Sequence, residues 1–257
     1  MNESVSYRQL TRMDELVNCA AIEEQVWGEG IVPPHMLRAV TSMGGLAVGA
    51  FDRDTMIGFV FGFRGVLQRS GTEIPVHHSH VAAVLPGYRG QGIGVGLKRT
   101  QARLALQQGL QLMTWTFDPL RARNAHLNIE KLGATVQVYE PDYYGNMTDA
   151  QNGQLASDRL LAEWQLTGEQ SRPQVSASEA LKVLQAAADG SPAAPQLQQA
   201  AALLHVAVPH DLDELLSSRP DVADTWRAAV RSTLMHYLDA GYLAVGFRDN
   251  GYLLHRS

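Results

Sequence analysis

The sequence predicts an α/β (α+β) chain, a principal domain of alternating strands and helices followed by a smaller α+β C-terminal extension. Three observations support this. Apolar residues switch repeatedly between the period of a strand and that of a helix over residues 1–168. A glycine-dense loop within residues 84–98 joins a strand-like apolar run to a helix-like one. At 257 residues the chain is long for one compact domain and short for three.

The elements follow in order. Residues 5–10 read as a short strand, and residues 13–27 as a helix in which Leu16, Ala20, Glu23 and Trp27 recur at helical spacing. Val32-Pro33-Pro34 breaks the chain before a second helix, residues 35–42. Residues 45–51 and 56–64, separated by Asp52-Arg53-Asp54-Thr55, read as a hairpin. Pro75 is expected to open a fourth strand, residues 76–85. Ile93, Leu97 and Leu104 lie on one stripe of a third helix, residues 93–108; a fifth strand, residues 112–117, is rich in β formers, and a fourth helix, residues 124–132, is ended by Gly133. Residues 136–139 and 160–166 supply two more strands.

The character then changes. Residues 169–198 are expected to form a linker, starting with a polar run after Gly168 and holding one short helix behind the capping box Ser176-x-x-Glu179. Residues 199–257 make the extension: a strand at 204–208, a helix capped by Asp211-x-x-Glu214, a helical stripe of Trp226, Val230, Thr233 and Tyr237, and strands at 242–247 and 252–255. Its apolar faces must be buried against the first domain or in a homodimer contact.

Composition narrows the function. A hydrophobic share of 45% supports a substantial core. The net charge of −5 argues against general nucleic-acid binding, which needs a basic surface. No apolar run is long enough to span a membrane, and residues 1–4 lack the charged-then-apolar pattern of a leader. Cys19 is the single cysteine, so no internal disulfide is available and a reducing cytoplasm is the expected compartment; Cys19 itself reads as a core residue.

The chemistry is expected at Arg89 to Gly94. Helix-start N–H groups with the dipole behind them suit a phosphate or pyrophosphate, and Gly90, Gly92 and Gly94 allow a close approach of the main chain. A P-loop is excluded, because Lys98 follows a leucine and precedes an arginine. A dinucleotide fingerprint is excluded, because Gly96 comes one residue early. The bland alternative is a glycine-rich helix start that serves packing alone.

What remains, Arg89-x-x-Gly92-x-Gly94 after a strand, resembles the pyrophosphate loop of the GCN5-related N-acetyltransferase (GNAT) superfamily. The order of elements over residues 1–168 is similar to that of the GNAT fold, which implies a mixed, mostly antiparallel sheet flanked by helices. A second signature, Asn124-Ala125-His126-Leu127-Asn128-Ile129-Glu130-Lys131-Leu132-Gly133, resembles the family's helix after strand five. The resemblance implies acetyl-CoA or another acyl-CoA as co-substrate and no metal. It implies cofactor contacts from Ala82, Ala83, Val84, Arg89, Gly90, Gln91, Gly92, Ile93, Gly94, Asn124 and Asn128, with the Val84 N–H as oxyanion donor. The chain departs from the family at Ile129, which stands where many members carry a tyrosine that protonates the departing thiolate. Asn128, Tyr143 or Tyr144 could take over, or the thiolate, with a pKa of about 8.5, leaves without a dedicated acid. Trp115 to Leu120, Tyr143-Tyr144-Gly145 and Ser157-Asp158-Arg159 are similar to a longer subgroup, the acyltransferases of N-acylamino acid racemase pathways, in which an amino acid's amine is acylated, in some cases succinylated; this suggests a free amino acid as acceptor.

Other candidates carry alternatives. His80, two residues from Ala82 and four from Val84, is expected on their face of the strand as a general base, or as a hydrogen-bonded histidine without catalytic duty. His77, His78 and His80 could instead hold a metal, although no cysteine or carboxylate lies beside them. Asp118 could bind an ammonium or act as a turn former; Asn124 could also be a helix cap. Arg121, Arg123 or Arg159 could clamp a substrate carboxylate, and Trp115 and Trp164 suit core or pocket walls. The expectation is an acyltransferase acting on a primary amine; a catalytically silent acyl-CoA sensor and a structural interaction module are the alternatives.

Overall fold

The structure, a computed structural model, describes residues 5–28, 30–145, 155–168 and 173–256. Residues 1–4, expected to lack a leader pattern, and residues 169–172 of the polar run after Gly168 lie outside the described residues. The chain divides into two compact units: Met1–Trp115 with Gln165–Gly168, and Thr116–Trp164 with Glu169–Ser257.

The first unit is built on strands β1 (Val5–Gln9), β2 (Leu46–Asp52), β3 (Thr55–Arg69), β4 (Thr72–Val84) and the start of β5 (Leu112–Phe117). They lie side by side in that order, antiparallel except for the parallel β4–β5 pair. Helices α1 (Met13–Trp27) and α2 (Pro34–Ser42) contribute to one core layer, where Leu16, Cys19, Ile22 and Leu37 meet Phe59, Phe61, Val81 and Ala83. Helix α3 (Ile93–Gln107) contributes to the other, with Ile93 and Leu97 against Val48, Ala50, Ile57 and Val60. Gly96 is needed for that packing: a Cβ there would stand 2.3 Å from the ring of Tyr7.

Strands β3 and β4 run well past their expected ends. Beyond residue 76 toward the hairpin tip, β4 pairs only with β3, and Pro75 sits inside the strand rather than at its start. A proline is tolerated there because a strand with one neighbour can leave its other edge without donors.

The second unit carries β6 (Thr135–Glu140), β7 (Arg159–Gln165), β8 (Leu181–Leu184), β9 (Leu203–Ala207), β10 (Leu243–Arg248) and β11 (Gly251–His255), ordered β7-β6-β10-β11-β9-β8. The expected fourth helix is a short turn, α4 (Ala122–Ala125), that widens into a π-helical stretch over His126–Lys131; the Leu132 N–H reaches back five residues to the Leu127 carbonyl. Helix α5 (Leu212–Ser218) is capped as expected, the Asp211 carboxylate accepting from the N–H groups of Asp213 and Glu214. Helix α6 (Pro220–Asp239) buries Trp226, Val230, Thr233, Leu234 and Tyr237.

Residues 116–164 and the C-terminal segment therefore share one sheet, since β10 pairs with β6 through Ala244 and Val136. This differs from the division at 168 and 198 expected from composition. Among its described residues the linker holds β8 and one 3-10 turn, Ala177–Glu179, without a side-chain cap. Phe247 N–H donates to Glu130, and the buried Tyr252 hydroxyl to the Pro119 carbonyl, so the tail closes over the segment that precedes it.

Candidate active site

Strand β4 loses its second neighbour partway along. The β4–β5 ladder ends at His78↔Thr114, whereas β4 pairs with β3 up to Val84. The Leu85 N–H bonds the Ile57 carbonyl at 3.0 Å, and antiparallel pairing alternates. Ala83 therefore uses its main-chain groups on Phe59, while Ala82 and Val84 aim theirs at the open edge. Of the three residues expected to pair with a pantetheine arm, Ala83 is thus the exception, its side chain buried on the α1–α2 side.

A bulge changes the face of His80. Phe61 pairs with Val81 and Gly62 with Ser79, so His80 is the extra residue on β4. Its ring lies 5.9 Å from Phe63 and 6.3 Å from His78, on the side of Phe61 and Val81, whereas Ala82 pairs with Val60 on the α3 side. Simple alternation, which put His80 with Ala82 and Val84, fails at this step. His80 is exposed, yet packing against its neighbours still desolvates the ring enough to lower its pKa, which keeps it neutral near pH 7. His78 Nδ1 lies 3.1 Å from Thr114 Oγ1, and burial, helped by His80 and Lys98, lowers its pKa to about 4.

His77 faces the other way. Its ring packs on Gly62, where a Cβ would stand 2.5 Å from Nε2. Burial, followed by the fields of Lys98 and His78, lowers its pKa to about 3. Among the described residues, no group of three or more histidine, cysteine or carboxylate side chains could hold a metal ion.

Beyond β4 a 3-10 turn, Pro86–Tyr88, leads to Arg89, whose Nε donates to the Val84 carbonyl at 3.2 Å. Gly90 has φ +78° and Gly92 φ +80°, and nothing lies within 4 Å of a Cβ placed at either. Left-handed backbone facing open space is what glycine supplies without strain. Gly92 starts α3, no side chain caps that start, and the first bond closing the helix runs from Gly96 N–H to the Gly92 carbonyl. The N–H groups of Ile93, Gly94 and Val95 thus have no acceptor within the helix. The Ile93 side chain is buried beneath them, so it can offer a ligand only its backbone.

Asp118, Asn124, Asn128, Tyr143 and Tyr144, also expected at the site, lie in the second unit. Asp118 is not a free carboxylate. Its two oxygens accept from Arg227 at 2.9 and 2.8 Å, Oδ1 also accepts from the Leu120 N–H at 2.8 Å, and the two side chains are only 8% and 5% exposed. The expected ammonium site at Asp118 is replaced by a buried ion pair that fixes the turn after β5. Asn124 lies inside the short α4 turn rather than capping it, and Asn128 is buried in the π-helical stretch beside the fully buried Ile129. Tyr143 and Tyr144 are exposed, stacked edge-on at 4.7 Å; the Tyr144 hydroxyl is 3.2 Å from Thr116 Oγ1. Desolvation first, then Tyr144 and Glu140, raises the pKa of Tyr143. Arg159 stacks on Tyr144 at 5.1 Å and donates to the Asp158 carbonyl, and Arg121 pairs with Asp213.

Asp158, which no sequence pattern singled out as an ion-pair partner, is fully buried. It accepts from Arg231 at 2.8 and 2.5 Å, from the Asp142 N–H and from the Tyr139 hydroxyl. Burial pushes its pKa up, but Arg231, Tyr139 and the Asp142 N–H together hold it below the ordinary value.

No family model and no curated protein matches this sequence. Solved structures do. Arabidopsis thaliana NAA60 in complex with a bisubstrate analogue is 16% identical with a TM-score of 0.51, covering 63% of this chain and 99% of that one. The ribosomal-protein-S18-alanine N-acetyltransferase of Escherichia coli is 16% identical with a TM-score of 0.50, covering 64% of this chain and 97% of that one. Salmonella typhimurium yncA, solved with its cofactor acetyl-CoA, is 15% identical with a TM-score of 0.50, covering 67% and 99%. The mixed, mostly antiparallel sheet flanked by helices matches GNAT-like folds.

Proposed function

We propose that this protein is an N-acyltransferase that moves an acyl group from acyl-coenzyme A to a primary amine. One observation carries the reading. The open β4 edge, with the main-chain groups of Ala82 and Val84 aimed along it, runs directly into the Gly90–Gly92 turn and the uncapped start of α3. An extended thioester arm needs backbone partners, and its diphosphate needs N–H donors at a helix start. Both lie within a dozen residues of chain.

In this reading the diphosphate binds the N–H groups from Gly90 to Gly94, with Arg89 and Gln91 at its rim. The pantetheine pairs with Ala82 and Val84. The amine nitrogen attacks the thioester carbonyl, the Val84 N–H holds the oxyanion, and the C–S bond breaks to release the thiolate. His80, a neutral base beside the bulge, takes the ammonium proton directly or through water. Tyr143 or Tyr144 returns a proton to the thiolate, with Asn124 and Asn128 as further cofactor contacts. The acceptor is a free amino acid, as the subgroup that the sequence resembles suggests; the single cysteine favours the cytoplasm, and a homodimer contact is one way to bury the apolar faces of the C-terminal segment.

Calorimetric titration with coenzyme A and thiol release over a panel of amino acids test this. Micromolar binding with turnover on at least one amine supports it, and no coenzyme A uptake overturns it. The buried Ile129 favours a second reading, a silent acyl-CoA sensor, because it cannot donate a proton. Binding without turnover on any amine would select that reading.

A further inference from the structure

Where β4 and β5 part, α3 buries a lysine. His78 and Thr114 are the last paired residues, and Ser79 and Trp115 the first beyond them. Lys98 reaches into this fork: Nζ lies 2.8 Å from Ser79 Oγ and 4.0 Å from the centroid of the Trp115 ring, and the residue is 5% exposed. Among the described residues no carboxylate pairs with it.

Its neighbours are unsatisfied as well. Neither ring nitrogen of His77, which shares a strand face with Ser79, has a hydrogen-bond partner. Gln101, one turn beyond Lys98 on the buried side of α3, has a partner for neither its amide oxygen nor its nitrogen. Both residues are fully buried. A buried ammonium without a counter-charge is strongly disfavoured, and buried polar atoms are nearly always satisfied. Burial alone drives Lys98 well below its ordinary pKa. A small acceptor with negative charge would restore the ammonium and take N–H donors from Lys98, His77 and Gln101 at once.

We propose that the fork between β4 and β5 is a binding site for a small monoanion, a carboxylate or a halide, seated on Lys98. The anion comes either from solution or as the distal carboxylate of a dicarboxylic acyl thioester; the second source rests on the transferase reading.

Crystals of the full chain grown in sodium bromide, with data collected at the bromine edge, test the site directly. An anomalous peak within hydrogen-bond reach of Lys98 Nζ is expected. In solution, the thermal midpoint of the wild type should rise by several degrees more than that of Lys98→Met across one formate series, in which general salt effects are common to both. Gln101→Leu should fall between them. Calorimetry with acetyl- and succinyl-coenzyme A separates the sources. Tenfold or tighter binding of the succinyl thioester, lost in Lys98→Met, assigns the site to the acyl chain; equal binding beside a bromide peak assigns it to a free ion. Failure to bind either thioester defeats the transferase reading and leaves the bromide result to decide the site. No peak, parallel salt responses and no succinyl preference would overturn the proposal.

Discussion

Replacing His77 with asparagine should remove much of the acid sensitivity of the fold. In the folded chain its imidazole is neutral, with a pKa near 3 set first by burial and then by Lys98 and His78; in the unfolded chain it returns to the ordinary 6.5. Between those values the unfolded state binds the extra proton, so stability is complete above pH 6.5 and is lost as the pH falls. At pH 5 the folded ring is still almost wholly neutral, and the loss is set by the unfolded value alone. The distance below it is about 1.5 pH units at about 1.4 kcal/mol per unit, or about 2 kcal/mol for this one side chain. Urea unfolding of wild type and His77→Asn at pH 7 and pH 5 measures it. The wild type should lose about 2 kcal/mol more than the variant over that interval, the contributions of His78 and His80 being common to both. Equal losses in the two proteins would refute the argument and mean that His77 is solvated or partnered in the folded chain.

Three further outcomes are expected. Gly92→Glu places a side chain at φ +80°, costs about 1 kcal/mol in backbone strain and sets a carboxylate where the diphosphate belongs; calorimetry should show coenzyme A affinity lost while the chain remains folded. Asp118→Asn strands the buried Arg227 guanidinium and should lower the unfolding free energy by about 3–5 kcal/mol, whereas Asp118→Asn with Arg227→Met should recover much of that loss, read by urea denaturation. Gly96→Ala drives a methyl into the Tyr7 ring and should cost about 1–3 kcal/mol, relieved by Tyr7→Ala in the same background, read from the shift in thermal midpoint.

Much of the first unit was legible because its signals are local. The bounds of α1 fall where apolar spacing puts them, and the glycine turn announced itself by composition. Features that depend on a second strand or a distant residue were not. The bulge at His80 exists only in the register between β3 and β4, so alternation along β4 alone assigned the wrong face. Asp118 reads as a turn aspartate until Arg227, 109 residues later, is seen against it. The widened turn at His126–Lys131 shifts the helix by a residue that counting cannot reveal. Strand β8 is only four residues long, Leu-Lys-Val-Leu, set in a stretch whose alanine, glycine and proline content reads as a linker.

The late arrival of two arginines has a consequence for biosynthesis. Asp118 and Asp158 leave the ribosome well before Arg227 and Arg231, which neutralise them across 109 and 73 residues, and β6 meets β10 only after that. Until residues 227–248 have been made, the middle of the nascent chain carries two carboxylates without cations and an unzipped strand edge, a species prone to self-association. Production of this protein in a cell should therefore depend on holding chaperones, and chains stalled before residue 227 should be cleared by proteolysis rather than accumulate.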